Sequence, residues 1–232
     1  MLAAEPSFDS FTPTTGTRRA LGLARAMATS SIGAPRLLFL RGPAGVGKTQ
    51  LLRAVVAHAI RPRPNALAIR VTAAEVVERL IPAARHDRIG LASLGFEGAE
   101  IVALDDLHTL AGCPVTQGEI ARLLGLTVAS GTRVLCAAGG PIAPLRTLVA
   151  ALRKEPGFVL ATLAPADDRE LRRVLLEVAR RDGLRPRPQV LGAVAASAHR
   201  DARRAIGALT SYLFGSLTVV HGRVVRTPGV VS

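Results

Sequence analysis

The chain has 232 residues, 49% of them hydrophobic, which suits one sizeable domain or a domain with a small appendage. With one Tyr, six Phe and no Trp its core must be aliphatic, so aromatic stacking platforms for single-stranded nucleic acid are poorly supplied. The formal charge of +13 is almost wholly arginine, Lys48 and Lys154 being the only lysines, and no uncharged run is long enough to span a bilayer.

In chain order, Phe8-Asp-Ser-Phe11 opens an arm that its aromatics are expected to pin to the domain. A Thr/Pro/Gly turn to Thr17 leads to a helix from Arg18 to about Thr29. The apolar run Leu37–Leu40 is of strand type, and Gln50 to Ile60 has helical spacing. Arg61-Pro-Arg-Pro64 is a breaker before the strand Leu67–Val71. Thr72, with Glu75 three residues on, forms a capping box for a helix to about Leu80, and an irregular basic stretch follows to near Gly98. The strand Ile101–Leu104 ends in Asp105-Asp106; a helix over Thr116–Ala129, the strand Arg133–Ala137, a helix over Thr147–Lys154 and the strand Phe158–Leu163 follow. Strands alternating with helices imply a mostly parallel sheet covered on both faces. Past Pro165 the pattern changes to three helices: one capped by Asp167 and running to Arg181, then Pro188–Ala198 and Asp201–Phe214. They read as a small helical lid. The expected organisation is a nucleotide-binding core over 1–164, a lid over 165–214 and a tail over 215–232. In that tail, Val-Val-His-Gly-Arg-Val-Val suits either a hairpin or a disordered end.

Between the first strand and the second helix lies Gly42-Pro43-Ala44-Gly45-Val46-Gly47-Lys48-Thr49, with the spacing G-x-x-x-x-G-K-[ST]. Glycines at 42, 45 and 47 are expected to let the backbone turn with positive φ and bring its N–H groups close to a polyanion. The helix that starts near Gln50 adds its positive end, Lys48 is placed for the β and γ phosphates, and the Thr49 hydroxyl for Mg²⁺. An apolar strand ending in acids, tens of residues later, is the second landmark: Asp105 is the candidate metal ligand, and Asp106 the candidate for polarising an attacking water.

Charge and cysteines bound the setting. Through Thr116 there are 13 basic and 9 acidic residues, beyond it 17 and 8, so the basic excess leans to the C-terminal half. Binding of nucleic acid and a compositional arginine bias both account for it. Cys113 and Cys136 are too few for a disulfide framework, and no signal peptide is visible, which suits a reducing cytoplasm.

From about Phe8 to Leu213 the chain resembles the bacterial chromosomal replication initiator family, DnaA, and its short homologue Hda. The resemblance rests on Phe8-Asp9-x-Phe11, on the phosphate loop, on Ile101 to Leu110, and on Arg203 with Gly207-Ala208-Leu209. It implies an α/β AAA+ fold of the P-loop NTPases, with a five-stranded parallel sheet in the order 5-1-4-3-2, a C-terminal three-helix lid, and ATP or ADP with Mg²⁺ as cofactors. Carried over, the backbone of Thr12–Thr17 would border the adenine, and Arg203 would be the lid arginine that reports a γ-phosphate.

The departures matter as much. The family's polar pair at the end of strand 4 falls on Ala138 and Gly139, and its arginine-finger segment falls on Ala151-Leu-Arg-Lys-Glu-Pro156, without the finger arginines. Arg153, or else Arg146, is the remaining candidate, and a finger is worth roughly 10³ to 10⁵ in rate. The initiator's basic pair for single-stranded DNA falls on Cys113 and Val115, and the chain ends before the family's helix-turn-helix domain. Hda's clamp-binding motif is not visible in Met1–Ser7, so binding to the sliding clamp is unsupported.

The expectation is a cytoplasmic or nucleoid-associated bacterial regulator of replication initiation, switched by nucleotide, with weak or absent hydrolysis, docking on the initiator DnaA or a related AAA+ protein. Self-association dependent on nucleotide and DNA contact through the arginine-rich surface remain open. The alternatives are an active ATPase remodelling DNA complexes, as a helicase loader does, and an adaptor that works without nucleotide.

Overall fold

A computed structural model describes residues 7–61, 65–85, 94–213, 215, 217–220 and 223–226. The chain divides into two compact units, one formed by residues 1–11, 18–42 and 48–163, the other by 12–17, 43–47 and 164–232.

The first unit holds the sheet. Its strands are β1 (Leu37–Gly42), β2 (Leu67–Thr72), β3 (Ala99–Asp105), β4 (Arg133–Gly139) and β5 (Phe158–Thr162), hydrogen-bonded in the order β2-β3-β4-β1-β5. Every pairing is parallel, and the order is the expected 5-1-4-3-2 taken from the other edge. A strand covered on both faces must be apolar throughout. Leu37, Leu38, Phe39 and Leu40 meet that demand and are fully buried in the interior strand β1. At the edge, β2 exposes Leu67 and buries only Val71.

Among the described residues this unit has the helices α1 (Arg18–Ala28), α2 (Lys48–Ile60), α3 (Ala73–Arg85), α4 (Pro114–Ala129) and α5 (Arg146–Leu152), besides a helical Leu94. Phe39, Val102, Leu104, Val134 and Cys136 from the sheet share one aliphatic core with Ile120, Leu124 and Leu148 from α4 and α5. Thr72 and Glu75 form the expected capping box: Thr72 N–H donates to Glu75 Oε2 at 2.6 Å, and Glu75 N–H donates to Thr72 Oγ1 at 3.2 Å. The helix so started runs five residues past Leu80, to Arg85. The basic stretch expected after it lies largely outside the described residues, as do Pro62–Pro64 of the breaker and Met1–Pro6 of the opening arm.

The second unit contains α6 (Asp168–Arg181), α7 (Pro188–Ser197) and α8 (Ala202–Leu213), and the antiparallel strands β6 (Leu217–Val220) and β7 (Arg223–Arg226). Leu171, Leu175, Val190, Val194, Ala205 and Leu209 pack together, and Val219 and Val224 lie against them. Of the two readings left open for the tail, the hairpin is therefore the observed one: alternate valines reach this core. Asp167 caps α6 through a full capping box with Glu170. The same Glu170 carboxylate accepts from Thr15 N–H at 2.6 Å, and Arg173 donates to the Pro13 carbonyl at 2.6 Å, which ties the segment 12–17 to α6.

Candidate functional site

In the first unit, the carboxyl ends of three adjacent strands carry the polar groups. Gly42 closes β1 in register with Gly139, the last residue of β4, and β3 ends alongside at Asp105. The Gly42 carbonyl accepts from Lys48 Nζ at 2.8 Å and from Gly140 N–H at 3.3 Å. A positive φ, expected at residues 42, 45 and 47, occurs at Gly45 (75°) and Gly47 (96°) only. Gly42 remains in the β ladder, because its carbonyl and neighbours are still engaged in strand pairing.

Asp105 is 3% exposed at the tip of β3, and its Oδ1 accepts from Asp106 N–H at 2.9 Å. Asp106 is exposed and takes the left-handed conformation (φ 56°, ψ 32°), which short polar side chains tolerate. It starts a 3₁₀ turn, Leu107–Leu110, whose two leucines are buried and so turn His108 outward. His108 Nδ1 accepts from Gly139 N–H at 3.3 Å and stands 3.9 Å from Asp106 Oδ1. Thr49 and Lys48 begin α2 on the strand next but one to β3.

The oxygen donors suit a hard divalent cation. Among the described residues no three His, Cys, Asp or Glu side chains converge on a metal position. Mg²⁺ is commonly held by one or two carboxylates with water and phosphate oxygens completing the octahedron, and Thr49 and Asp105 are the residues that could hold it.

In the second unit, residues 43–47 of the glycine loop lie against Asp201. A Cβ built on Gly45 would fall 1.9 Å from Asp201 Oδ1, so with φ at 75° any side chain there is strained and must displace the Asp201 carboxylate. The same Oδ1 accepts from the N–H groups of Arg203 (2.9 Å) and Arg204 (3.1 Å), and caps α8. Arg203 itself is exposed. Sequence reasoning missed the contacts of Asp201 with Gly45 and of His108 with Gly139, since neither is local in the chain.

Of the remaining candidates, Gln50 is exposed and donates to the Ser10 carbonyl at 3.1 Å. Arg146 opens α5 and Arg153 caps its C-terminus, both exposed. Ala138 is buried and Gly139 half-buried at the end of β4. Cys113 and Val115 are exposed at the start of α4. Burial of Cys136 in β4 pushes its thiol up to about 12, so it is inert packing. No helix among the described residues is long and apolar enough to cross a membrane.

A glycine loop ending in Lys-Thr between an interior strand and a helix, with an acid-tipped strand in a 2-3-4-1-5 parallel sheet, defines a phosphate-loop protein of the AAA+ class. The family model described as the bacterial DnaA ATPase domain matches residues 2–160, and the chain belongs to that family. The chromosomal replication initiator protein DnaA of Caulobacter sp. strain K31 is 29% identical over 213 residues, 88% of this chain and 44% of that one. Its counterpart in Caulobacter vibrioides is 30% identical over 172 residues, 74% of this chain and 35% of that one. The chain thus spans less than half the length of these relatives. Domain III of Thermotoga maritima DnaA superposes with a TM-score of 0.79 at 20% identity, covering 92% of this chain and 90% of that one. AMPPCP-bound DnaA from Aquifex aeolicus gives 0.76 at 19% identity, covering 93% and 67%. A further structure, DnaA bound to AMPPCP and single-stranded DNA, gives 0.75 at 19% identity, covering 90% and 65%.

Proposed function

We propose that this chain is a nucleotide-switched regulatory module of bacterial replication initiation, binding ATP or ADP with Mg²⁺ and docking on the initiator DnaA or a related AAA+ protein. The observation that carries the reading is a full set of phosphate and metal groups beside a depleted set for hydrolysis. Lys48, Thr49, Asp105 and the positive-φ glycines of the loop are all present. The β4 end offers only Ala138 and Gly139, and the α5 end has Arg153 where the family carries a differently placed arginine pair. Relatives that carry a nucleotide analogue share the fold, which supports the nucleotide.

In this reading the loop N–H groups and the N-terminus of α2 hold the phosphates, Lys48 neutralises the β and γ groups, and Thr49 with Asp105 holds the metal. Bound Mg²⁺ would offset phosphate charge. Asp106 orients water, and Arg203, in the same unit as loop residues 43–47, answers to the γ-phosphate. Without a well-placed finger, turnover is expected to be slow, since that group alone contributes roughly 10³ to 10⁵.

The test is titration with fluorescent ADP and ATP in Mg²⁺, with Lys48→Ala as control, followed by a turnover assay. Binding that Lys48→Ala destroys, with little turnover, is the expected result. Fast turnover that Asp106→Asn abolishes would instead make the chain an active ATPase. A partner interaction indifferent to nucleotide and to Lys48→Ala would make it a fixed adaptor.

A further inference from the structure

A switch needs a group that distinguishes a triphosphate from a diphosphate, and the end of β4 has no such group of its own. Residues 138–141 read Ala-Gly-Gly-Pro, without a polar side chain among them. The imidazole of His108 stands over this gap. A Cβ built on Gly139 would lie 3.4 Å from His108 Cγ and 3.4 Å from Nδ1, so the ring covers the position that a side chain on residue 139 would otherwise enter.

The hydrogen bond made there fixes what the ring can do. Gly139 N–H donates to Nδ1, so in the neutral imidazole Nδ1 is the acceptor and the proton resides on Nε2. Nε2 has no hydrogen-bond partner among the described residues, and the side chain is 47% exposed. The result is one oriented N–H donor without an acceptor among the described residues. Asp106 does not compete for it: its Oδ1 faces Nδ1, at 3.9 Å, beyond hydrogen-bond reach.

Its location selects the ligand. Gly139 pairs with Gly42, and the Gly42 carbonyl takes Lys48 Nζ and Gly140 N–H. His108, Asp106 and Lys48 therefore surround the ends of three adjacent strands, which lie about 4.8 Å apart. A loop lysine meets the β and γ phosphates, and His108 shares these strand ends with Lys48 and stands beside Asp106, the acid assigned to water.

We propose that His108 is a specificity-determining residue that donates from Nε2–H to a γ-phosphate oxygen, and so lets this chain tell ATP from ADP. The inference rests on the nucleotide reading above. It assigns to β3's following turn the role that β4 does not fill.

The experiment measures the affinities of wild type, His108→Ala, His108→Gln and Lys48→Ala for ADP and for the non-hydrolysable triphosphate AMPPCP, both with Mg²⁺. His108→Ala is expected to weaken AMPPCP about tenfold more than ADP. His108→Gln, whose amide can accept from Gly139 N–H and still donate, is expected to recover most of the difference. With ¹⁵N-labelled histidine, the Nε2 signal of His108 should move on adding AMPPCP and stay in place with ADP. An equal loss for both nucleotides in His108→Ala, or an unchanged ratio, overturns the inference while leaving nucleotide binding intact. Failure of the wild type to bind either nucleotide, with Lys48→Ala no different, overturns the nucleotide reading and this inference together.

Discussion

Glu170 performs two tasks at once, completing the α6 cap and holding Thr15, and both depend on its charge. The Thr15 N–H, followed by its hydroxyl, holds the carboxyl below the usual carboxylate range against the opposing effect of desolvation. The folded protein therefore binds this proton less readily than the unfolded chain. The stabilisation is complete above the unfolded value, about 4.3, and is lost as pH falls through the depressed native value. Glu170→Gln is expected to lower the melting temperature at pH 7 and to make little difference near pH 2, which a pair of thermal scans checks. At this scale the sequence was legible wherever the partner is three residues away, as with Thr72 and Glu75 or Asp167 and Glu170. It was also legible where a spacing is diagnostic, as in the loop ending Lys48-Thr49. It was not legible for His108 and Gly139, which are 31 residues apart and meet only because β3 and β4 are neighbours. The same holds for Asp201, which reaches Gly45 only through folding.

Strands and helices were visible because burial on both faces and amphipathic spacing leave different apolar patterns, as in Leu37–Leu40 against Gln50–Ile60. What pattern alone does not show is how the turns between elements are fixed. Gln117 illustrates this: from α4 it donates to the carbonyls of Leu110 (2.9 Å) and Pro144 (2.9 Å) and accepts from Leu148 N–H (3.3 Å). One buried amide thus joins the turn after β3, the loop after β4 and helix α5. Those turns carry His108 and lead to Arg146 and Arg153, so Gln117 positions groups it never touches. Gln117→Ala leaves the three backbone groups without their partner in a site only 2% exposed. Each buried group so orphaned costs about 1–3 kcal/mol, less where water can enter. A total loss of about 3 kcal/mol is expected in urea denaturation, and Gln117→Glu, whose carboxylate cannot donate to either carbonyl, should not restore it.

For the molecule as a whole, charge and nucleotide linkage give separate readouts of what it binds. The +13 charge would draw any polyanion, but the positions where the initiator family carries a basic pair for single-stranded DNA expose Cys113 and Val115 instead. Diffuse attraction by scattered arginines differs from a built strand-binding groove in one measurable respect, the response to salt and to sequence. Each neutralised phosphate of a single strand contributes about −0.7 to the slope of log K against log salt. An oligonucleotide should therefore bind weakly at low salt, without sequence preference, and be released by 0.2 M salt in the presence or absence of nucleotide. Nucleotide should behave in the opposite way, because it is bound by oriented N–H groups and a metal rather than by net charge. A ligand at about 100 times its Kd adds about 2.7 kcal/mol to the stability of the state that binds it. For a chain of this length each kcal/mol raises Tm by roughly 2–4 °C, so saturating ATP with Mg²⁺ should raise it by about 5–10 °C. That shift should persist at 0.2 M salt and vanish in Lys48→Ala. Retention of the oligonucleotide at 0.2 M salt with dependence on ATP would instead mean that α4 and the loops around it form a strand-binding surface without the basic pair.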